Sequence, residues 1–194
     1  MRKIIIYFIS LLFLLSCNKI AQDKYYPSFI KAGQISGAGI KYFDFIPDDT
    51  LKIIGYPDTL EITRDLDLDN DKVIDFEITL RISSPYMLGA TSSSLLIKPL
   101  GLNSICVSKS NVNWVDSLRY NDTIYQNCNW SDSIALIYSH TRYINNDQCT
   151  YGFWYKNTTN YYVGVRILKG ENQLFGWIDL KNSVIKQYAL TYKD

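Results

Sequence analysis

The chain has 194 residues, 20 of them basic and 19 acidic, for a formal net charge of +1. Such a balance excludes the global basic field that draws nucleic acid or an anionic membrane surface. The length suits one domain with a sizeable core. A single histidine and the lack of any CxxC pair leave the common Cys/His zinc spacings unfilled.

Arg2 and Lys3 precede an apolar run from Ile4 to Leu15 that only Ser10 interrupts. A basic start and about a dozen apolar residues read as a secretory signal. The run is shorter than the roughly 20 residues needed to span a bilayer. Leu14-Leu15-Ser16-Cys17 resembles the lipobox of bacterial lipoproteins. That resemblance implies cleavage before Cys17 and diacylation of its thiol, with Ser16 as the small residue at the cut. The expected layout is a leader over 1–16, a lipidated polar tether over 17–30 and a single domain over 31–194. Loss of the leader leaves 18 basic and 19 acidic residues, a formal charge of −1. The expected location is the cell envelope, lipid-anchored to a bacterial membrane, foremost the outer membrane, on its periplasmic or surface side.

Beyond the tether, period-two alternation dominates. Residues 40–46 read as the first strand. Leu60, Ile62, Leu66 and Leu68 then oppose Glu61, Thr63, Asp65 and Asp67, and Phe76, Ile78, Leu80 and Ile82 oppose Asp75, Glu77, Thr79 and Arg81. The acidic stretch between these two runs makes them a hairpin. Shorter strands are expected over 94–98, 104–108, 134–138 and 150–156. A C-terminal meander follows, with strands over 162–169, 173–180 and 184–192 and turns over 170–172 and 181–183. No capped helical stripe stands out. Many short strands between turns predict an all-β fold, an antiparallel two-sheet β-sandwich of jelly-roll-like or related kind.

The acidic turn carries the strongest chemical signal. Asp67, Asp69, Asp71 and Asp75 occupy positions one, three, five and nine, and the Val73 carbonyl stands at position seven. Carboxylates so spaced can converge on a hard cation, with Ca²⁺ the expected cofactor. The stretch resembles the DxDxDGxxD calcium loops of EF-hand-like and integrin-type hairpin sites. It departs from them where Lys72 replaces the turn glycine and Ile78 the bidentate glutamate. The alternative is a solvated acidic turn, in which the four aspartates would repel one another without a counterion.

Tyr42-Phe43-Asp44-Phe45-Ile46-Pro47-Asp48, Asp75-Phe76, Gly164-Val165-Arg166 and Phe175-Gly176-Trp177-Ile178 resemble stretches of uncharacterised secreted proteins and lipoproteins common in the Bacteroidetes. That resemblance implies an all-β secreted domain and carries no catalytic residue across. Trp177, following a glycine in mid-strand, is expected in the core.

Five Asp-Ser/Thr-apolar triplets place hydroxyls at Thr50, Thr59, Ser117, Thr123 and Ser133. They resemble the O-glycosylation signal of exported Bacteroidetes proteins, and equally fit turns that open strands. Cys106, Cys128 and Cys149 allow one disulfide and a spare thiol, with the pairing open. His140 sits in neither GxSxG nor HExxH and reads as a surface or hydrogen-bonded residue. Trp114 and Trp130, in Asn-rich segments, are candidates for stacking on a glycan or an envelope protein, or for core anchors under loops. The expected function is that of a lipid-anchored, calcium-stabilised, non-catalytic binding or structural module with no nucleic-acid partner. The alternatives are an envelope glycan hydrolase with unidentified carboxylates and a subunit of a surface assembly.

Overall fold

The computed structural model describes residues 27–51, 59–84, 89–152, 154, 161–181 and 183–192. The leader, Cys17 and most of the tether lie outside them. Among the described residues the regular elements are all strands. In chain order they are β1 (Phe29–Lys31), β2 (Ile40–Thr50), β3 (Thr59–Leu66), β4 (Phe76–Ser83), β5 (Ala90–Pro99), β6 (Ser104–Cys106) and β7 (Thr123–Tyr125). There follow β8 (Trp130–Ser131), β9 (Ala135–Tyr143), β10 (Gln148–Tyr151), β11 (Tyr161–Lys169), β12 (Asn172–Lys181) and β13 (Val184–Thr191).

One sheet has the order β10-β9-β5-β4-β3, a second β2-β13-β12-β11-β6-β8, and β1 and β7 form a short ribbon. Every strand pair is antiparallel. The two large sheets pack face to face as a β-sandwich. Alternation explains the packing: Phe76, Ile78 and Leu80 of β4 meet Val163, Val165 and Ile167 of β11 in one buried cluster.

The six-stranded sheet is buried on its outer face as well. Ile30, Leu118, Ile124, Tyr162, Phe175 and Trp177 form a second cluster there, capped by the β1–β7 ribbon. Burial on both faces is why β12 reads as a nearly unbroken apolar run. Trp177 is fully buried, its indole donating to the Gln34 carbonyl at 3.2 Å. Gly176 lets β12 and β13 approach closely, since a Cβ there would meet the Leu190 side chain and stand 2.5 Å from the Ala189 carbonyl oxygen.

Several elements depart from the sequence expectation: β7 and β8 are additional, β9 runs on to Tyr143, and β10 covers Gln148–Tyr151 where a strand over 150–156 is expected. β1 falls largely in the stretch read as tether, and Ile30 is fully buried, so packed structure starts before residue 31. β2 runs past 46 to Thr50 because it is an edge strand, where a proline such as Pro47 loses no ladder bond. Its register slips there: Asp44 pairs with Gln187 and Asp49 with Ile185, so residues 45–48 bulge opposite Lys186.

Candidate metal centre

The β3–β4 hairpin pairs Leu66 with Phe76 and leaves residues 67–75 as its turn. Asx bonding shapes this loop. Asp67 accepts from the N–H groups of Asp71 (3.2 Å, Oδ1) and Lys72 (2.8 Å, Oδ2), Asp69 Oδ1 from Asp71 N (3.2 Å), and Asp71 Oδ1 from Val73 N (2.8 Å). These bonds curl the backbone so that Asn70 and Lys72 adopt φ values of 61° and 73°. Asn tolerates the left-handed region; Lys72 holds it at a cost that a glycine would not bear.

The curl brings one carboxylate oxygen each of Asp67, Asp69 and Asp71 within 4.8 Å of one another. Such a cluster can hold a metal ion. The fourth aspartate of the sequence pattern faces elsewhere. Asp75 is only 4 % exposed, and its Oδ2 accepts from Leu68 N at 2.8 Å while Oδ1 accepts from the Asn103 amide at 3.0 Å. Its backbone is also paired on both sides, with Leu66 and with Leu100. Burial outweighs those bonds and raises its pKa to about 6, with the Asp69 and Asp67 charges adding to the rise. The structure therefore gathers three of the four aspartates and turns the fourth into the interior. Val73 is exposed, and its N–H is committed to Asp71.

A residue that spacing alone does not reveal completes the cluster. Lys169, at the end of β11 in the opposite sheet, places Nζ 2.5 Å from Asp69 Oδ2 and 2.9 Å from Asp71 Oδ2. The Asp69 side chain is 5 % exposed and Lys169 39 %. The contact with Lys169 holds the Asp71 carboxyl below the usual range. Asn103 fastens the same corner from behind, bonding Asp75 and accepting from Leu168 N at 3.2 Å. The expected repulsion among the aspartates is thus already relieved by an internal ammonium, one that a metal ion would have to displace.

The other candidate residues are dispersed. The Trp130 indole donates to the carbonyls of Tyr125 and Gln126 (3.2 and 3.1 Å), and its ring lies tilted on Phe175 with the Arg166 guanidinium 5.0 Å from its centre. Trp114 is half-buried and bridges to Leu136. These settings fit anchors under loops. His140 Nδ1 lies 3.0 Å from Thr150 Oγ1 across the β9–β10 pair. Of the triplet hydroxyls, those of Thr123 and Ser133 are on exposed residues, Thr50 and Ser117 are half-buried, and the Thr59 side chain lies outside the described set. Asp122 shows turn chemistry, accepting from Arg119 N at 2.7 Å. Of two surface depressions near the β9–β10 turn, one is lined by Asp147 and the other by no carboxylate, so the described residues give no acid pair there for glycan hydrolysis.

Comparison of the chain with protein-family models, with curated proteins and with solved structures finds no match.

Proposed function

We propose that the chain is an exported, lipid-anchored β-sandwich of the bacterial envelope, stabilised by Ca²⁺ at its acidic turn and acting as a non-catalytic binding or structural module. The observation that carries the calcium reading is the convergence of Asp67, Asp69 and Asp71 oxygens within 4.8 Å in a loop already curled by its own Asx bonds. Three carboxylates with water and the Val73 carbonyl supply the oxygen-rich, adaptable shell that Ca²⁺ takes at about 2.3–2.6 Å. Mg²⁺ is a poorer fit, because it demands stricter octahedral geometry. With Asp75 turned inward and Lys169 in competition, affinity falls in the weak extracellular range, on the order of 10⁻⁴–10⁻³ M. The lipobox-like Leu14–Cys17 stretch supports the anchor, and a glycan or envelope protein is the proposed partner.

Thermal melting in EDTA, calcium or magnesium tests the metal reading. Calcium at about 100 times the dissociation constant should add roughly 2.7 kcal/mol of stability, and Asp69→Ala with Asp71→Ala should abolish the gain. An identical melting temperature in EDTA and in 10-millimolar-order calcium would return the loop to a solvated turn.

A further inference from the structure

Cys106, Cys128 and Cys149 are all free thiols here. Cys106 ends β6, and its neighbours Ile105 and Val107 belong to the inter-sheet cluster, so its own side chain faces the other way. Its cross-strand partner, Trp130, packs on the outer cluster. Cys128 stands two residues before Trp130 and packs on that same cluster. The β6–β8 pairing thus sets the two cysteines on adjacent chain segments with both side chains toward the outer cluster. Gly164 makes the room: a Cβ there would stand 3.0 Å from Cys106 Sγ. Cys149 is exposed on β10, the edge strand of the other sheet.

We propose that Cys106 and Cys128 are a redox pair that closes to a disulfide, with Cys149 left as the unpaired thiol. The bond would clip the stretch between them, which carries Leu118, Ile124 and β7 over the outer cluster, onto the six-stranded sheet. The two thiols have distinct roles. The neighbouring Cys106 thiol, with the Tyr125 N–H donating to Cys128 Sγ at 3.5 Å, lowers the Cys128 pKa to about 7, so a thiolate is available at neutral pH. Cys106 is raised by the neighbouring Cys128 and by burial, which keeps it protonated until the second step. The Cys128 thiolate attacks a small disulfide oxidant such as oxidised glutathione, breaking its S–S bond, forming a mixed disulfide and releasing one glutathione thiolate. The Cys106 sulfur, giving up its proton, then attacks Cys128 Sγ and expels the second glutathione. The protein loses two electrons and two protons, and two reduced glutathione molecules form.

The choice of partners rests on the β6–β8 pairing and the shared outer face, whereas closure in the cell rests on the export reading. Trypsin cuts after Lys19, Lys109, Arg119 and Arg142, so all four cysteines of the chain fall in separate peptides. The full chain is oxidised with glutathione disulfide, alkylated and mapped without reduction. The expected result is a Cys106–Cys128 linked pair with Cys149 alkylated. The oxidised form should melt roughly 6–12 °C above the reduced form, unchanged by Cys149→Ser and lost in Cys128→Ser. The oxidation rate should rise with pH through about 7. Alkylation of both Cys106 and Cys128 after oxidation, or a link from either to Cys149, would overturn the pairing. The linked pair in vitro with both thiols free in acid-trapped cells would count against export while leaving the pairing intact.

Discussion

Removing the Lys169 ammonium should weaken the protein without metal and tighten its hold on calcium. In Lys169→Gln the buried Asp69 carboxylate loses its counterion, 2.5 Å away. Two unit charges about 4 Å apart interact by roughly 4 kcal/mol at an effective dielectric of 20. Because Lys169 is 39 % exposed, solvent screening and side-chain entropy reduce the net value to about 1 kcal/mol. The variant should therefore melt about 2–4 °C lower in EDTA. Calcium no longer has to displace an ammonium, and that same energy returns as an affinity gain of about fivefold. At a calcium concentration near 100 times the native dissociation constant, linkage then gives about 3.7 kcal/mol in place of 2.7. The gap in stability seen in EDTA should therefore close in calcium. Parallel melts in EDTA and calcium, with titration calorimetry for the dissociation constant, read this out. An equal loss in both conditions, with calcium affinity unchanged or weaker, would refute competition between Lys169 and the metal.

Three further outcomes are expected. Asp179 is buried on the outer face of the six-stranded sheet, with Oδ2 bonded to Gln187 and Oδ1 without a hydrogen bond, and burial raises its pKa. A folded-state value above the unfolded one means that the folded state holds the proton longer, so its contribution to stability is lost as pH rises from about 4. Asp179→Asn should be more stable by about 1 kcal/mol at pH 8 and show a flatter profile in urea melts at pH 4, 6 and 8; a variant weaker than the native chain at pH 8 would contradict this. Gly176→Ala should lower stability by about 1–3 kcal/mol in denaturant titration, because its Cβ has no room against Leu190 and Ala189. Cys17→Ala should leave an uncleaved, unlipidated precursor, and intact-mass analysis of the native N-terminus should otherwise find a diacylated Cys17; an unmodified N-terminus elsewhere would remove the anchor.

Strands with several alternating residues were legible because burial on one face leaves period two in the sequence. The runs Phe76-Ile78-Leu80-Ile82 and Val163-Val165-Ile167 became β4 and β11, facing each other across the core. The β1–β7 ribbon was not legible, since each three-residue strand has a single buried residue, Ile30 or Ile124, and one residue carries no period. Spacing brought Asp67, Asp69 and Asp71 together correctly but could not give direction to Asp75, whose carboxylate is set by the pairing of the backbone on both sides. Lys169 stands 98 residues from Asp71, and only the packing of one sheet on the other joins them. The choice of Cys128 as the neighbour of Cys106 is of the same kind, made by the pairing of β6 with β8.

The most direct test of the calcium reading is a crystal structure of the chain grown with calcium at about 100 times the expected dissociation constant. The expected result is a peak at the β3–β4 turn with oxygens of Asp67, Asp69 and Asp71 and the Val73 carbonyl at about 2.3–2.6 Å, and with the Lys169 ammonium moved off the Asp69 and Asp71 carboxylates. A turn without the ion, with Lys169 still seated on both carboxylates at that calcium concentration, would contradict it.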